Sequence, residues 1–220
     1  MRLFLLSLGL LIATPLFAKE TTTPEQALGR MQAFYAATRD LKGKFKQVYI
    51  DTIYNRRRTS YGYLYVKKPG MMRWNYVSPE PKQFIADGKR LWVYEPQDNQ
   101  AFKNPLTTAN LSTGLTFLLG SGNLKREFQA EFVSDPADKL GNAGDLLLKL
   151  TPREPTAQYR YLLFAVDAND FSVRESMVVS RHSRNLLVFD KLVRNSKLSK
   201  KRFAFAPPAG TRVIDGAKPR

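Results

Sequence analysis

Apolar and polar residues alternate in short runs along most of the chain, and turn residues separate one run from the next. A period of two is the pattern of a β-strand with one buried face, and aromatic or β-branched residues favour it. Asp87-Gly88 between two such runs is a typical hairpin turn. Because the connecting loops are short, we predict an antiparallel meander with strands at 44–50, 60–66, 71–77, 82–86, 90–95, 126–133, 145–150, 159–166, 172–180, 185–193 and 202–207.

Two segments depart from this alternation and predict helices. In residues 23–38, Thr23 is a suitable N-cap and Pro24 suits the first turn. Apolar residues recur there at helical spacing and form one stripe, which contains Leu28, Met31 and Tyr35. Residues 111–119 (LSTGLTFLL) are too apolar for an open loop and predict a second helix containing Leu115 and Leu118. The chain is therefore expected to be mainly β with a few helices, an α+β fold.

The alternation also predicts which side chains share a face of the sheet. In residues 71–77, Met72, Trp74 and Tyr76 fall on one face and are expected to point inward, because Arg73 on the other face prefers water. In residues 61–68, Leu64, Val66 and Lys68 share one face, and three tyrosines occupy the other. A sheet that is partly apolar on both faces can be covered on one side and hold an apolar ligand on the other.

The first twenty residues have the parts of a secretory signal peptide. Arg2 supplies the positive part, an apolar run extends from Leu3 to Ile12, and Ala18 precedes the charged Lys19. We expect cleavage after Ala18, which makes residues 1–18 the signal peptide and residues 19–220 one domain of a soluble exported protein. A buried N-terminal helix is the alternative interpretation of the same apolar run.

Charge and cysteine content narrow the possible partners. Lys and Arg total 35 against 19 Asp and Glu, a net charge of +16, and the excess concentrates at 54–60 and 194–203. Such clusters either meet anionic lipid headgroups or an acidic protein, or stay solvated at strand edges, while export argues against nucleic acid. The chain has no cysteine, so we expect folding without disulfides and no cysteine-linked lipid.

The sequence offers no catalytic constellation and no metal or cofactor motif. His182 is the only histidine, and it is more readily explained as an exposed structural residue than as a catalytic one. A Gly-x-Ser-x-Gly elbow and the common phosphate-binding loops are missing from the sequence. The acidic residues fall mostly in turns and at polar strand positions. We therefore expect a protein that is not an enzyme and needs no metal or cofactor.

Four stretches together resemble the LolA family of periplasmic carriers of outer-membrane lipoproteins. They are FKQVY at 45–49, GYLYVKKPGMMRWNY at 62–76, IADGKRLWVYEP at 85–96 and FAFAPPAGTRVID at 203–215. The order and spacing of these stretches agree with the family from about residue 24 to residue 215. The resemblance implies an unclosed half-barrel sheet with an apolar concave face, covered by helices that act as a lid. The concave cavity would hold the acyl chains of a lipoprotein in transit.

The resemblance assigns roles to particular residues. One lid helix would carry Leu28, Met31 and Tyr35, and the other Leu115 and Leu118. In the family an arginine usually precedes the conserved proline and holds the lid shut. That position is Lys68 here, so we expect Lys68 to be the lid latch and to hold more weakly than arginine would. The acyl-chain cavity would be lined by Leu64, Val66, Met72, Trp74, Tyr76 and Trp92.

The resemblance also implies partners. A monomeric carrier would receive acylated lipoproteins from an inner-membrane ABC transporter of the LolCDE type. It would then deliver them to an outer-membrane acceptor of the LolB type, or directly to an anionic membrane surface. The acceptor shares the fold but is lipid-anchored, so the absence of cysteine favours the carrier.

Other interpretations remain open at this point. From the residues alone, Met72 and Trp74 would be read as an ordinary core under a permanent helix, and the family resemblance favours cavity lining instead. A related lipid- or glycolipid-binding module, or a sensor of the same fold, would show the same strands. A periplasmic hydrolase of anionic polymers is a further alternative, and it requires acidic residues gathered in a cleft.

Overall fold

The computed structural model describes residues 22–106, 122–133 and 140–216. Its helices are α1 (Pro24–Ala36), α2 (Leu124–Glu127) and a 3₁₀ helix (Lys200–Phe203). Its strands are β1 (Asp40–Asp51), β2 (Arg56–Lys67), β3 (Met71–Ser78), β4 (Lys82–Asp87), β5 (Arg90–Glu95), β6 (Gln100–Pro105), β7 (Phe128–Phe132), β8 (Leu146–Pro152), β9 (Tyr161–Val166), β10 (Val173–Val179), β11 (Ser183–Arg194) and β12 (Arg212–Asp215). The predicted signal peptide and the predicted helix at 111–119 lie outside the described residues.

All twelve described strands belong to one sheet in the order β12-β6-β5-β4-β3-β2-β1-β11-β10-β9-β8-β7. Two antiparallel meanders, β1–β6 and β7–β11, are joined where β1 pairs with β11. The short β12 pairs with β6 in parallel. Because β7 and β12 are the two ends of this order and do not pair with each other, the sheet stays open. The prediction of a mainly β fold with one unclosed, largely antiparallel sheet is confirmed.

Helix α1 begins and ends where the sequence predicts, within two residues. Its N-terminus is a capping box, in which the Thr23 hydroxyl accepts from the Gln26 amide at 3.2 Å and the Gln26 side chain accepts from the Thr23 amide at 2.8 Å. One face of the helix is buried, and it consists of Ala27, Leu28, Met31 and Tyr35. This apolar stripe fixes the side of the helix that packs on the sheet.

We call the sheet face against which α1 packs the inner face, and the opposite one the outer face. The inner face and α1 share the largest apolar cluster of the described residues. That cluster extends across both meanders, from Met72 and Trp74 in β3 to Leu148 in β8 and Phe164 in β9. The inner face is therefore continuously apolar over most of the width of the sheet.

The outer face is covered in part by the segment after β11, which corrects two predictions. Residues 202–207 do not form a strand, because Phe203 packs with Met71 and Leu198 while Phe205 packs against Trp92. Their apolar alternation reflects burial on the sheet, without strand pairing. Arg73 does not point freely to water either, since its guanidinium lies under the 3₁₀ helix and donates to the Arg202 carbonyl at 2.9 Å.

Two strands escape prediction from the sequence. In β6, with sequence QAFKNP, only Ala101 is buried, so the run lacks a clear alternation. Strand β12 has four residues, of which none is buried. The backbone pairing of β12 with β6 and the ion pair between Asp215 and Lys103, at 3.2 Å, fix its position.

Candidate functional site

The inner face of strands β2 and β3 is closed at the end where α1 lies. Leu64, Val66, Met72 and Trp74 are at most 5% exposed and belong to the same cluster as Leu28, Met31 and Tyr35 of the helix. The antiparallel register sets this arrangement, because Leu64 lies opposite Trp74 and Val66 opposite Met72. Four of the six side chains assigned to an acyl-chain cavity are therefore buried in the apolar cluster that α1 shares with the sheet, and we refer to them as the closed end.

A row of aromatic rings continues along the inner face from the closed end. Phe45 packs edge-on against Trp74, with ring centroids 4.7 Å apart, and against Tyr76 at 4.9 Å. Tyr76 in turn lies 5.8 Å from Phe84. Gly62 makes this row possible, because a Cβ at that position would lie 2.6 Å from the Phe45 ring and 2.2 Å from the Asn75 carbonyl oxygen. The row links the buried floor to a cavity.

The cavity lies at the other end of the inner face, which we call the open end. Its volume is about 290 Å³, and Tyr76 and Phe84 form its apolar wall. The rest of its lining is polar, and consists of Gln47, Tyr49, Arg58, Ser60, Glu80 and Lys82. Such an opening combines an apolar wall with polar groups that orient a ligand.

The charged side chains of the open end form ion pairs. Arg58 and Glu80 form an ion pair, and Lys82 lies 2.5 Å from Glu95. The hydrogen bond from Lys82 is the main reason why the pKa of Glu95 is lowered. Burial raises the pKa of the Tyr76 phenol to about 12, so the phenol stays neutral against the apolar wall.

Two cations hold the C-terminal end of α1. The Lys68 ammonium donates a hydrogen bond to the Tyr35 carbonyl, and Arg194 reaches the Phe34 carbonyl at 3.5 Å while its guanidinium lies 3.8 Å from the centre of the Phe34 ring. Both charges stand where the helix dipole is negative. Burial lowers the pKa of the Lys68 ammonium. We call Lys68 and Arg194 the α1 latch.

A further contact anchors the same helix to the other meander. The Tyr35 hydroxyl accepts a hydrogen bond from the Val173 amide at 3.1 Å, at a buried position. Burial raises the pKa of the Tyr35 phenol, while the bond to Val173 partly opposes that rise. Helix α1 thus depends on both halves of the sheet, through the latch and through Tyr35.

The structure separates Trp92 from the other side chains assigned to the cavity. Leu91 packs in the inner cluster, whereas Trp92 lies on the outer face with Ile85, Ala101 and Phe205. The register requires this, because Trp92 pairs with Ile85 while the neighbouring Ala86 pairs with Met72 on the inner face. The assignment of Trp92 to the cavity is therefore wrong.

The remaining assigned residues lie as follows. Tyr76 belongs to the open end, and Lys68 reaches the end of α1. Leu115 and Leu118 lie outside the described residues. The sequence interpretation did not single out the inner-face aromatics Phe45, Phe84 and Phe189 or the second latch residue, Arg194. Phe45 could have been identified from the sequence, because it is the first residue of the FKQVY stretch. For Arg194 the sequence shows only that it belongs to a basic cluster.

One buried polar atom interrupts the inner face. The Ser176 hydroxyl is buried in β10 between Phe164 and Leu187, its neighbours on the adjacent strands, and has no hydrogen-bond partner among the described residues. Leu187 pairs onward with Gln47, which pairs with Ser60. Ser176 therefore stands in the same cross-strand row as two polar residues of the cavity lining.

Two further observations concern residues 22–106, 122–133 and 140–216. Their His, Asp and Glu side chains form no group of three or more that could hold a metal ion. None of their helices has the length and apolarity needed to cross a bilayer. Glu80 in the cavity lining pairs with Arg58, and Glu95 pairs with the lining residue Lys82.

Comparison with known proteins agrees with this geometry. The family model "Outer membrane lipoprotein carrier protein LolA" matches residues 36–206. A protein of Methylococcus capsulatus named outer-membrane lipoprotein carrier protein is 29% identical over 211 residues, which are 93% of this chain and 96% of that protein. A protein of the same name from Alkalilimnicola ehrlichii is 29% identical over 87% of this chain and 86% of its own.

A solved structure extends the comparison to the fold. An uncharacterized conserved protein from Thermus thermophilus superimposes with a TM-score of 0.53 at 13% identity, covering 87% of this chain and 98% of the other. At this identity the likeness concerns the fold alone. The family model, by contrast, spans most of the chain, including the strands of the inner face, both latch residues and the cavity lining. The chain therefore belongs to the LolA family.

Proposed function

We propose that this protein carries lipoproteins between membranes by holding their acyl chains on the inner face of its sheet. The observation that carries the proposal is the continuous apolar inner face, which α1 covers at one end and which opens into a cavity at the other. Membership of a family whose described members are named lipoprotein carriers supports it. The activity proposed is binding and release, without catalysis.

The physical need for such a carrier follows from the hydrophobic effect. Burying each methylene group is worth about 0.8 kcal/mol, so an acylated protein cannot cross water unless another apolar surface replaces the bilayer. The cavity of about 290 Å³ is at the lower limit of small-ligand pockets and does not hold several acyl chains by itself. We infer that the chains enter at the open end and displace α1 from the closed end.

The construction of the cover fits reversible binding. Helix α1 has 13 residues, and such a short helix owes its stability mainly to packing on the sheet. Its C-terminal end is held by Lys68 and Arg194 through a few hydrogen bonds. Acyl chains that replace the apolar contacts of Leu28 and Met31 would leave only these polar contacts to hold the helix. Met72 on the floor suits variable chains because its side chain is flexible.

The finer parts of the proposal come from the family resemblance. We place the protein in the periplasm and propose that it acts as a monomer. Residues 19–220, which follow the proposed signal peptide, would form its single domain. We propose that its cargo comes from an inner-membrane transporter of the LolCDE type. Delivery would go to a LolB-type acceptor or to an anionic membrane surface.

The two tryptophans allow a direct test, because they lie on opposite faces of the sheet. A Trp92→Phe variant leaves Trp74 of the closed end as the only tryptophan, and Trp74→Phe leaves only the outer-face Trp92. Each variant is titrated with a triacylated lipopeptide whose acyl chains carry bromine, which quenches tryptophan at contact distance. We expect quenching of Trp74 and unchanged emission from Trp92.

Two controls complete this test. The same peptide without acyl chains should quench neither tryptophan, and a non-brominated triacylated lipopeptide should displace the brominated one. The proposal is contradicted if Trp74 emission is unaffected at saturating brominated lipopeptide, or if Trp92 is quenched equally. Equal quenching would mean that the lipid coats the surface and does not enter the inner face.

A further inference from the structure

The tip of the β1–β2 hairpin, residues 52–58, carries two strongly exposed apolar side chains. Ile53 is 60% exposed and Tyr54 is 69% exposed, more than any other large apolar residue described. Exposed apolar side chains side by side at the end of a hairpin do not contribute to the core. Exposed apolar side chains that lie together at such a position are typical of a contact with another molecule.

The backbone holds these two side chains outward. The Asp51 carboxylate accepts hydrogen bonds from the amides of Ile53 at 2.9 Å and Tyr54 at 3.0 Å, which closes the turn. The Thr52 amide donates to the His182 carbonyl at 3.0 Å and ties the tip to the β10–β11 turn. The apolar tip is thus a fixed feature of the fold.

Arginines surround the tip on both faces of the sheet. Arg56, Arg57 and Arg58 are exposed and alternate between the faces along β2. Arg56 also lies 5.6 Å from the centre of the Tyr54 ring. On the neighbouring β11, Arg184 pairs with Ile50, directly before the tip. Two acids lie near these arginines. Asp51 in the hairpin accepts hydrogen bonds from the turn amides, and Glu80 beside the hairpin pairs with Arg58.

The hairpin projects beyond the strand next to it. Pairing between β2 and β3 ends at Tyr61 and Ser78, so residues 56–60 of β2 extend past β3. At about 3.4 Å per residue this amounts to roughly 17 Å. The tip therefore stands clear of β3 on this side, while on the other side it lies level with the β10–β11 turn.

We propose that this hairpin tip docks the protein on bilayers that contain anionic phospholipid. Ile53 and Tyr54 would enter the headgroup region, where tyrosine is favoured because one end of its ring is apolar and the other is polar. Arg56 and Arg57 would bind the lipid phosphates, which suit the planar guanidinium. A protruding apolar tip fits a deformable lipid surface better than an acidic protein, which would need a matching groove.

The position of the tip gives docking a consequence for transport. Arg58 of the tip and Tyr49 at the end of β1 both line the cavity of the open end. Docking therefore brings the mouth of the cavity to the lipid surface. This consequence rests on the proposed carrier function, whereas docking itself does not and can be measured on the empty protein.

Sedimentation with vesicles tests the charge requirement. The mature protein is mixed with phosphatidylcholine vesicles that contain increasing proportions of phosphatidylglycerol. We expect binding that grows with phosphatidylglycerol and falls with salt, and a loss of affinity of about tenfold or more in Arg56→Glu/Arg57→Glu. The matched control is Lys200→Glu/Lys201→Glu, which makes the same charge change in the exposed 3₁₀ helix near the opposite end of β2.

A single-cysteine label tests which part of the molecule meets the lipid. Because the natural chain has no cysteine, Ile53→Cys provides one unique site for an environment-sensitive fluorophore. We expect increased, blue-shifted emission with anionic vesicles at position 53. The control is Val213→Cys in β12, which is also exposed but lies at the far edge of the sheet, and its label should not respond.

Several results would overturn the proposal. They are absence of binding to anionic vesicles, equal losses in the two charge-reversal variants, or equal responses from the labels at positions 53 and 213. Binding to polyglutamate in solution without binding to vesicles would also overturn it and would favour an acidic protein partner. If vesicle binding fails while brominated chains still quench Trp74, the docking proposal fails and the carrier function stands.

Discussion

The two ends of the inner face differ in polarity although the same strands build both. At the closed end, Trp74 is buried in the apolar cluster that also contains the buried face of α1. At the open end, Tyr76, only two residues further along β3, lines a cavity whose other walls contain charged and amide groups. The change occurs within about 7 Å of strand. One sheet face thus offers an apolar floor and a polar entrance in direct succession.

This difference suggests a division of labour for a ligand with an apolar tail and a polar head. The closed end supplies apolar area, and its side chains share one cluster with those of α1. The open end is accessible but has little apolar area, mainly from Tyr76 and Phe84. Binding of an acyl chain would therefore begin at the open end and gain most of its free energy at the closed end.

The largest expected effect is a difference in unfolding free energy between a substitution at the closed end and one at the open end. Trp74→Ala should lower the free energy of unfolding by about 3–5 kcal/mol, because it removes a buried ring from the cluster between α1 and the sheet. Tyr76→Ala, on the same strand and face, should cost clearly less because its ring borders a cavity. Urea denaturation of both variants measures the difference. Equal losses would show that the two ends are packed alike.

The α1 latch gives the next largest effect. Lys68→Met should lower the free energy of unfolding by about 2 kcal/mol, because it removes a charged hydrogen bond to the end of α1. Amide hydrogen exchange should speed up in α1 and little elsewhere. Lys67→Met is the matched control, since Lys67 lies on the other face of β2. Lys68→Arg should slow exchange in α1, and unchanged protection would argue against a weak lysine latch.

The sequence predicts the inner face well where only one of the two alternating sets of side chains in a strand is mainly apolar. In β3, Arg73 and Asn75 separate Met72, Trp74 and Tyr76, so the alternation alone identifies the inward set. In β5 both alternating sets of side chains are apolar, since Leu91 and Val93 alternate with Trp92 and Tyr94. Alternation then cannot choose a face, and only the pairing of Trp92 with Ile85 settles it.

Contacts between distant parts of the chain account for the other differences. Arg194 stacks on Phe34 because β11 pairs with β1, and no local pattern announces that pairing. The cover of the outer face by Leu198 and Phe203 has the same origin. The Asp40 carboxylate fixes it, accepting hydrogen bonds from Ser196 and Leu198. Such pairings depend on the register of the whole sheet.

A titration sharpens the comparison at the open end. The folded-state pKa of Tyr76 is raised to about 12, so between pH 10 and 12 the folded protein holds a proton that the unfolded chain loses. Stability should consequently fall as the pH rises above 10. At about pH 11 this phenol should account for about 1 kcal/mol of the loss. In Tyr76→Phe, urea unfolding at about pH 9 to 11.5 should show a smaller loss of stability, because this phenol is missing. An equal decline in both proteins would contradict a raised pKa at Tyr76.

The smallest expected effect concerns Ser176, the buried polar side chain on the inner face of β10. Ser176→Ala should raise the free energy of unfolding by roughly 0.5–1 kcal/mol, because it removes a buried hydroxyl that lacks a partner among the described residues. Ser60→Ala, in the same cross-strand row but at the cavity, should leave stability nearly unchanged because water can reach that hydroxyl. Thermal and urea unfolding of both variants provide the measurement. A loss of stability in Ser176→Ala would mean that this hydroxyl makes a polar contact, and the inner face of β10 could then not be counted as apolar in that row.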